Sequence, residues 1–529
     1  MMLRMSRLAY LMGCALVLAV KGHAAAQDMP RSQDADEWIY TIQPGDTLSQ
    51  IASQTLGDLA AWRQLQTLNR IANPNRLIPG NTLRIPSQAG QTDLAQAEAL
   101  SVSGGVTVSR GVGTASNALT PGTALRVGST IETGEDGLVT LRFADQSRML
   151  VSPNSRLTLT SLHFNRGAAT GITRATLEKG NVESQVNPQK GARARYEVKT
   201  ASANFSVRGT TFRIQLDAKT GLTRSSVLEG SVQASNSLGS VNIGQGYGIV
   251  ITPGHSTGAA QPLLPPPTWV TTGNPIEHFP ARFSWQDLNN SQQYRVDIVE
   301  VKGEERLVQT LITRDPRSAW TTLPNGDYRI RVRGIDPNGL EGRDALFGFK
   351  VEAWPAAPMV NAPLEGAVVA GERISFRWAR VSDAEFLRFQ IARDTGFKDI
   401  AMQVKSLTVR SGGIAVPLNT GRYYWRVAAG RKREGLGPFS PAQAFEVGAT
   451  PQGASSNRLR WQVASPGERF KIQVATHESF ADPLIDREQV DTEVTLPEVA
   501  QPLYVRVKRI APDGFPGEFE PVQIFERGL

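Results

Sequence analysis

Residues 38–86 read WIYTIQPGDTLSQIASQTLGDLAAWRQLQTLNRIANPNRLIPGNTLRIP. The alternating run Ile39-Tyr40-Thr41-Ile42 stops at Pro44-Gly45, the mark of a strand entering a turn. Thr47-x-x-Gln50 has capping-box spacing, with a hydroxyl and an amide placed to meet donors that a first helical turn leaves open. Leu48, Ile51 and Ala52 fall on one face of that helix. Asp58 is placed to cap a second helix whose Trp62, Leu65 and Leu68 share a stripe, and Asn69 stands at its stop. The turn Ile78-Pro79-Gly80-Asn81 leads into a closing strand, Thr82-Leu83-Arg84-Ile85. The order is strand, helix, helix, strand.

Gly45-Asp46-Thr47-Leu48, Asn69, and Leu77-Ile78-Pro79-Gly80 ahead of Leu83-Arg84-Ile85-Pro86 resemble a LysM module. The resemblance implies a βααβ fold that binds polymers containing N-acetylglucosamine, chiefly peptidoglycan and chitin, in a shallow groove between two loops. It places Gly45, Asp46, Thr47 and Leu48 on one loop and Asn75, Leu77, Ile78, Pro79 and Gly80 on the other. Exposed backbone amides and carbonyls suit sugar acetamides, and Leu48 and Ile78 suit acetyl methyls. Turn chemistry gives a competing account: Gly45, Pro79 and Gly80 shape turns, and Asp46 and Thr47 cap a helix.

At 529 residues the chain is long enough for three to five domains. Arg4 and Arg7, the apolar run Leu8 to Val20 and the small residues Ala24-Ala25-Ala26 read as a secretory signal peptide, residues 1–26, cut before Gln27. That run is too short to span a bilayer, and no other stretch is a candidate transmembrane segment. Export to the periplasm is expected. The single cysteine, Cys14, lies inside the signal, so the mature chain needs neither disulfides nor thiol chemistry. Leu11-Met12-Gly13-Cys14 loosely resembles a lipoprotein box, but the apolar run continues beyond it. Cleavage lowers the net charge from +8 to +5. This gives a mild attraction to anionic surfaces, with no basic run interleaved with aromatics of the kind that nucleic acid needs.

Residues 87–99 are rich in Gln, Ala and Gly and read as a flexible linker. β patterning then begins, with short alternating runs between Gly and Asn turns, which predicts an all-β sandwich, roll or barrel over 100–253. Leu125-x-Val127-Gly128-x-x-Ile131-x-Thr133-Gly134, Leu141-x-Phe143-x-Asp145-x-Ser147, Leu177-x-x-Gly180, Val207-Arg208-Gly209-Thr210-x-Phe212 and Leu228-x-Gly230-x-Val232 resemble the periplasmic FecR domain. In that family the domain relays the state of an outer-membrane transporter to an anti-sigma segment. Here neither a cytoplasmic helical segment nor a membrane anchor is evident, so the relay is not expected.

Residues 254–268 form a proline-rich spacer. Beyond it Trp285, Trp378 and Trp461 recur at spacings of 93 and 83 residues. Each precedes an alternating strand and then Tyr328-x-Ile330-Arg331-Val332, Tyr423-x-Trp425-Arg426-Val427 or Leu503-x-Val505-Arg506-Val507. The period predicts three tandem immunoglobulin-like sandwiches over 269–352, 354–447 and 450–527, similar to fibronectin type III repeats. Equal placement makes the tryptophans core fillers rather than a ligand patch, and puts Arg331, Arg426 and Arg506 on a solvated face.

No catalytic constellation is found. His163, His255, His278 and His477 lack zinc-ligand spacing, and neither a Gly-x-Ser-x-Gly elbow nor a Ser-x-x-Lys pair is present. Gly244-x-Gly246-x-Gly248 lacks the helix of a phosphate loop. Glu132, Glu135 and Asp136 read as surface acids, and Asp336-Pro337-Asn338-Gly339 as an incomplete calcium loop. The expectation is a mainly β, multidomain, non-catalytic exported adaptor. It would hold peptidoglycan through the LysM-like module, use no cofactor and present its β modules to an envelope protein. The competing readings are an envelope-sensing regulator acting through the FecR-like domain and an accessory subunit that targets a wall hydrolase.

Overall fold

The computed structural model describes residues 37–526 apart from 43, 57, 87–95, 112–114, 166–169, 189–194, 208, 272–273, 304, 409–411, 450–456 and 464. The expected signal peptide with Cys14, most of the expected linker and Arg208 lie outside the described residues. Strand makes up 53% and helix 4%, and among the described residues the helices lie in the first module. That module comprises β1 (Glu37–Thr41), α1 (Leu48–Thr55), a 3-10 turn Leu59–Ala61, α2 (Trp62–Leu68) and β2 (Thr82–Pro86). Strands β1 and β2 pair antiparallel, with Tyr40 opposite Leu83.

Strands between Ala97 and Pro262 build a larger β body of two sheets around one core. Its working elements are β3 (Arg148–Val151), β4 (Thr170–Gln185), β5 (Thr211–Leu216) and β6 (Thr223–Glu229). Strand β4 serves both sheets. Up to Lys179 it pairs with Arg156–Asn165, and from Gly180 onward with β5, joined from Val182 by β3. The crossing falls at Gly180, whose φ is +87° and where a Cβ would collide with Ser155, so the position requires glycine. Between the sheets Tyr196 stands edge-on to Phe143 and Phe212 at 5.7 and 6.3 Å. Ala97 and Ala99, expected to close the flexible linker, are instead fully buried strand residues. Their alanine-rich composition carries little strand signal, yet small side chains are what the core admits there.

Three sandwiches follow. The first sets a three-stranded sheet against a four-stranded one, the division of a seven-strand immunoglobulin-like fold. Its central pair is β7 (Gln293–Glu300) and β8 (Gly326–Ile335). The corresponding pairs are β9 (Phe386–Ala392) with β10 (Gly421–Arg431) in the second sandwich, and β11 (Arg469–Ala475) with β12 (Leu503–Ile510) in the third. Trp285, Trp378 and Trp461 are buried in the cores of the first, second and third sandwiches respectively.

The modules are not beads on a string. The stretch expected as a free spacer adds a two-residue strand, Gln261–Pro262, to the β body, buries Leu263, and accepts the Arg343 N–H on the Leu264 carbonyl at 3.0 Å. The apolar Leu263-Leu264 pair inside the proline run accounts for the docking. The second and third sandwiches share a five-stranded sheet, with Val360 paired to Arg460. In addition, Arg380 and Val381 pair with Ile524 and Gln523. At the junction of the first and third sandwiches Arg282 bonds Asp513. The chain at His278–Pro280 lies near Arg509 and Gly517 there.

Arg331, expected on a solvated face, is the main correction. Its outward direction is as the alternation implies, but the β body covers that face. Arg331 bonds Glu183 of β4 at 2.7 Å and Asp297 of β7 at 3.1 Å. Arg333 reaches Glu341, Asp297 and Asp344 at 2.6, 2.9 and 3.1 Å. From the β body, Arg213 bonds Asp344 at 2.5 Å and Glu183 at 3.0 Å. Arg295 completes the set on Asp297 and Glu341 at 3.2 and 3.3 Å. The contact extends to an apolar edge of Leu138 and Leu150 against Val299 and Leu307.

Burial alone would raise Glu183, Asp297 and Glu341, but the surrounding arginines reverse this and hold all three carboxyls below their usual range. His278 is pushed down to about 3 by burial and by the charge of Arg509. Every one of these shifts is a depression, so the stability they carry is present above the unfolded-chain pKa and lost as pH falls through the folded one. The urea midpoint is expected to hold at neutral pH, to decline below about 6.5 through His278, and to fall again below about 4 as the carboxylates protonate. His278→Gln should remove only the upper step. A midpoint unchanged between those limits would contradict the account.

Candidate functional site

The first module holds its two loops side by side through main-chain bonds. Beyond the β1–β2 ladder, Ile42 donates to the Asn81 carbonyl at 2.8 Å and accepts from Gly80 N–H at 2.9 Å. This sets Pro44–Thr47 beside Ile78–Asn81. The Tyr40 hydroxyl donates to Asp46 Oδ2 at 2.7 Å and ties the first loop to β1. Burial, then the bond to Asp46, raise the Tyr40 phenol well above its ordinary value, so it stays a donor. Gly45 and Gly80 are exposed with φ of +87° and +90°, and space is open where a Cβ would stand. They are glycine for the turn, and they leave backbone accessible.

Thr47 caps α1, accepting Gln50 N–H at 3.3 Å and donating to Gln50 Oε1 at 3.0 Å. The capping box is therefore half made: the glutamine answers the threonine hydroxyl rather than its amide. Asp58 caps the 3-10 turn through Ala60 N–H at 2.8 Å. Leu48, offered as a glycan contact, is 2% exposed and packs with Ile51, Ala52, Leu65, Leu83 and Ile85. It is the first residue of α1 and shares that helix's inward face, so its methyls serve the core. Leu77 is half-buried against the same core. Ile78 is 58% exposed and is the apolar side chain that the second loop presents. Asn75 and Pro79 are exposed on that loop, with Asn75 N–H turned to Asn73 Oδ1 at 3.0 Å.

One structural residue carries more than its sequence reading. Asn69, read as a helix stop, donates through Nδ2 to the Leu65 and Arg84 carbonyls at 2.9 and 2.8 Å and accepts Arg84 N–H at 2.5 Å. Its side chain acts as a short β bridge that clamps α2 to β2. Together with the Ile42 bonds, it fixes both ends of the second loop. An amide reading both groups of one residue on a neighbouring strand has no signal in local sequence.

Elsewhere the motifs set aside as non-catalytic have structural explanations. Gly246 turns between adjacent strands and donates to the Val227 carbonyl. Asp336 accepts from Asn338 and Leu340 N–H at 2.9 and 2.8 Å and from Gln261 at 3.0 Å. That makes it a turn at the junction with the β body. Glu135 and Asp136 are exposed, and Glu132 is held below its usual range by Lys179, 2.9 Å away. Among the described residues no three of His, Cys, Asp and Glu gather as metal ligands. Among them, too, no helix is long and apolar enough to cross a membrane.

The LysM domain family model matches residues 40–86, and the FecR protein family model matches residues 129–233. The chain thus carries a LysM domain followed by a FecR-like domain, and the three sandwiches come after them. An uncharacterised protein of Deinococcus radiodurans is 38% identical over 63 residues, 12% of this chain and 25% of that protein. The chain therefore spans a quarter of that relative's length. Among solved structures, a candidate anti-sigma factor from Parabacteroides distasonis aligns at 14% identity and TM-score 0.22, covering 25% of this chain and 59% of that one. The fibronectin(III)-like modules of Clostridium thermocellum CbhA align at 12% identity and TM-score 0.16, over 34% of this chain and 92% of that one.

Leu48→Ala is expected to cost the LysM domain about 2–5 kcal/mol, the range for a buried leucine. Ile78→Ser should leave stability within about 0.5 kcal/mol while weakening retention on peptidoglycan. Denaturation of both variants beside co-sedimentation with sacculi checks the pair. The reverse pattern would show the loop assignment to be wrong.

Proposed function

We propose that the chain is an exported, non-catalytic adaptor that attaches to wall glycan through its LysM domain and presents the rest to an envelope protein. The functional division is 38–86 for glycan, 100–253 for the FecR-like domain, and 269–352, 354–447 and 450–527 for the sandwiches. The observation that carries this reading is the pair of exposed loops that Ile42 holds together, with open backbone at Gly45 and Gly80 and the bare side chain of Ile78. Asp46, Thr47, Asn75 and Pro79 frame that surface. Leu48 and Leu77 support it from below. A periplasmic, peptidoglycan-associated location is part of the same proposal.

Backbone groups and one isoleucine make a weak grip, because a small polar site must repay the loss of translational freedom and the desolvation of its own groups. Retention at the wall then rests on a second contact or on several copies. The envelope-sensor reading is favoured by the FecR match alone, while an outer sheet face of that domain is already covered by the first sandwich.

Co-sedimentation with purified sacculi compares the full mature chain with one lacking residues 38–86. The full chain is expected in the pellet, and to remain there at 1 M salt, where the Debye length of about 3 Å removes attraction by net charge. The deletion should stay in the supernatant. Equal sedimentation of both would end the adaptor reading.

A further inference from the structure

The three sandwiches carry the same cross-strand pair at the same place and complete it differently. The pairs are Asp297 opposite Arg331, Gln390 opposite Arg426, and Gln473 opposite Arg506. In the second sandwich Arg426 donates to Gln390 at 2.9 Å and lies between two rings, 3.9 Å from Phe397 and 4.0 Å from Phe439. In the third, Arg506 donates to Gln473 at 2.8 Å and lies 4.1 Å from Phe480 and 4.3 Å from Phe519. A glutamine and two phenylalanines thus satisfy each arginine within its own module.

The first sandwich breaks this stack at both ends. Asp297 stands where the others have glutamine. Phe439 and Phe519 sit opposite Ala428 and Lys508, two residues after the stacked arginine. Two residues after Arg331 comes Arg333, and the ladder that pairs Val332 with Ala345 sets Asp344 opposite it. A ring in two modules is therefore a carboxylate in the first. The two aspartates compensate Arg333 and leave Asp344 to take Arg213 of the β body, while Arg331 is open to Glu183.

We propose that Asp297 and Asp344 are the specificity-determining residues that dedicate the outer face of the first sandwich to this chain's own FecR-like β body. The second and third sandwiches, with the arginine already capped by rings, present no matching face. The β body answers from one row of its outer face, where Glu183, Arg213 and Ser226 lie side by side across β4, β5 and β6. Arg213 meets Asp344, Glu183 meets Arg331, and Ser226 Oγ donates to the Glu341 carbonyl at 2.8 Å. The contact also covers that part of the FecR-like sheet, so an outside partner must use another surface.

The physical basis is charge balance under burial. Replacing Asp297 and Asp344 by the residues of the other modules leaves Arg213, Arg295, Arg331 and Arg333 facing only Glu183 and Glu341. Two uncompensated buried charges cannot remain out of water, so the interface opens. The test places paired spin labels on the mature full-length chain, at cysteines substituted for the exposed Lys219 and Lys302, and reads the distance distribution. The unaltered interface should give one narrow distance. In the Asp297→Gln/Asp344→Phe variant that peak should be lost, with the cooperative unfolding of the first sandwich, followed by Trp285 and Trp320 fluorescence, retained. Should that variant fail to fold, Glu183→Arg leaves the sandwich untouched and sets a like charge against Arg331. It should open the contact equally. Persistence of the narrow distance in a folded variant of either kind overturns the proposal.

Discussion

The placement of the modules depends on one interaction: the closed set of charges between the FecR-like β body and the first sandwich. Arg213, Arg295, Arg331 and Arg333 each pair with at least two of the carboxylates Glu183, Asp297, Glu341 and Asp344. Taking such ions from water costs several kcal/mol apiece, and their mutual attraction roughly repays it. The set therefore contributes modestly to net stability and strongly to geometry. Any shift of one sheet over the other sets like charges together, so a single registration survives. Asp297 is wholly buried and Arg333 is 2% exposed, so at the centre of the set water can do little to soften that choice.

The remaining contacts extend this rigidity mainly through backbone, with single ion pairs such as Arg282–Asp513 and Arg380–Glu526 beside them. The second and third sandwiches are joined by backbone ladders across their shared sheet, and Gln523 of the third donates to the Ala357 carbonyl and accepts from Met359 N–H. Ladder and amide bonds carry no net charge and so cost less to bury. Where the buried charge set joins two modules the partner is selected; where backbone ladders dominate the sheet continues from one module into the next.

Much of this was legible in the sequence, and what was not has identifiable causes. Local periodicity and turn chemistry reported the order of the LysM elements, the Thr47 cap and the tryptophan period of the sandwiches, because each is decided within a few residues. Asp58, read as the cap of α2, instead caps the 3-10 turn ahead of it, and α2 follows Ala61 without a side-chain cap. Leu48 was misplaced because the same position can be the end of a loop or the start of a helix, and the inward face of α1 claims it. Arg331 was assigned the correct side of its strand; alternation reports which way a side chain points but not whether another module lies there. Asn69 was half understood: its stop function is local, while its bridge to Arg84 spans fifteen residues.

Rigidity also bears on what a weak glycan module can do. Under the proposed attachment, a pair of loops built from backbone and one isoleucine would offer little affinity alone, and residence at the wall would be set by how a second contact is positioned relative to the first. On a flexible tether, a second contact is diluted over every distance the tether can span. A body whose modules are locked by charge and shared strands offers one distance instead, and a partner at its far end meets the wall at a defined reach. Helix α1 rests against the β-body strand Arg156–Asn165, so the LysM loops join that body rather than trail from it.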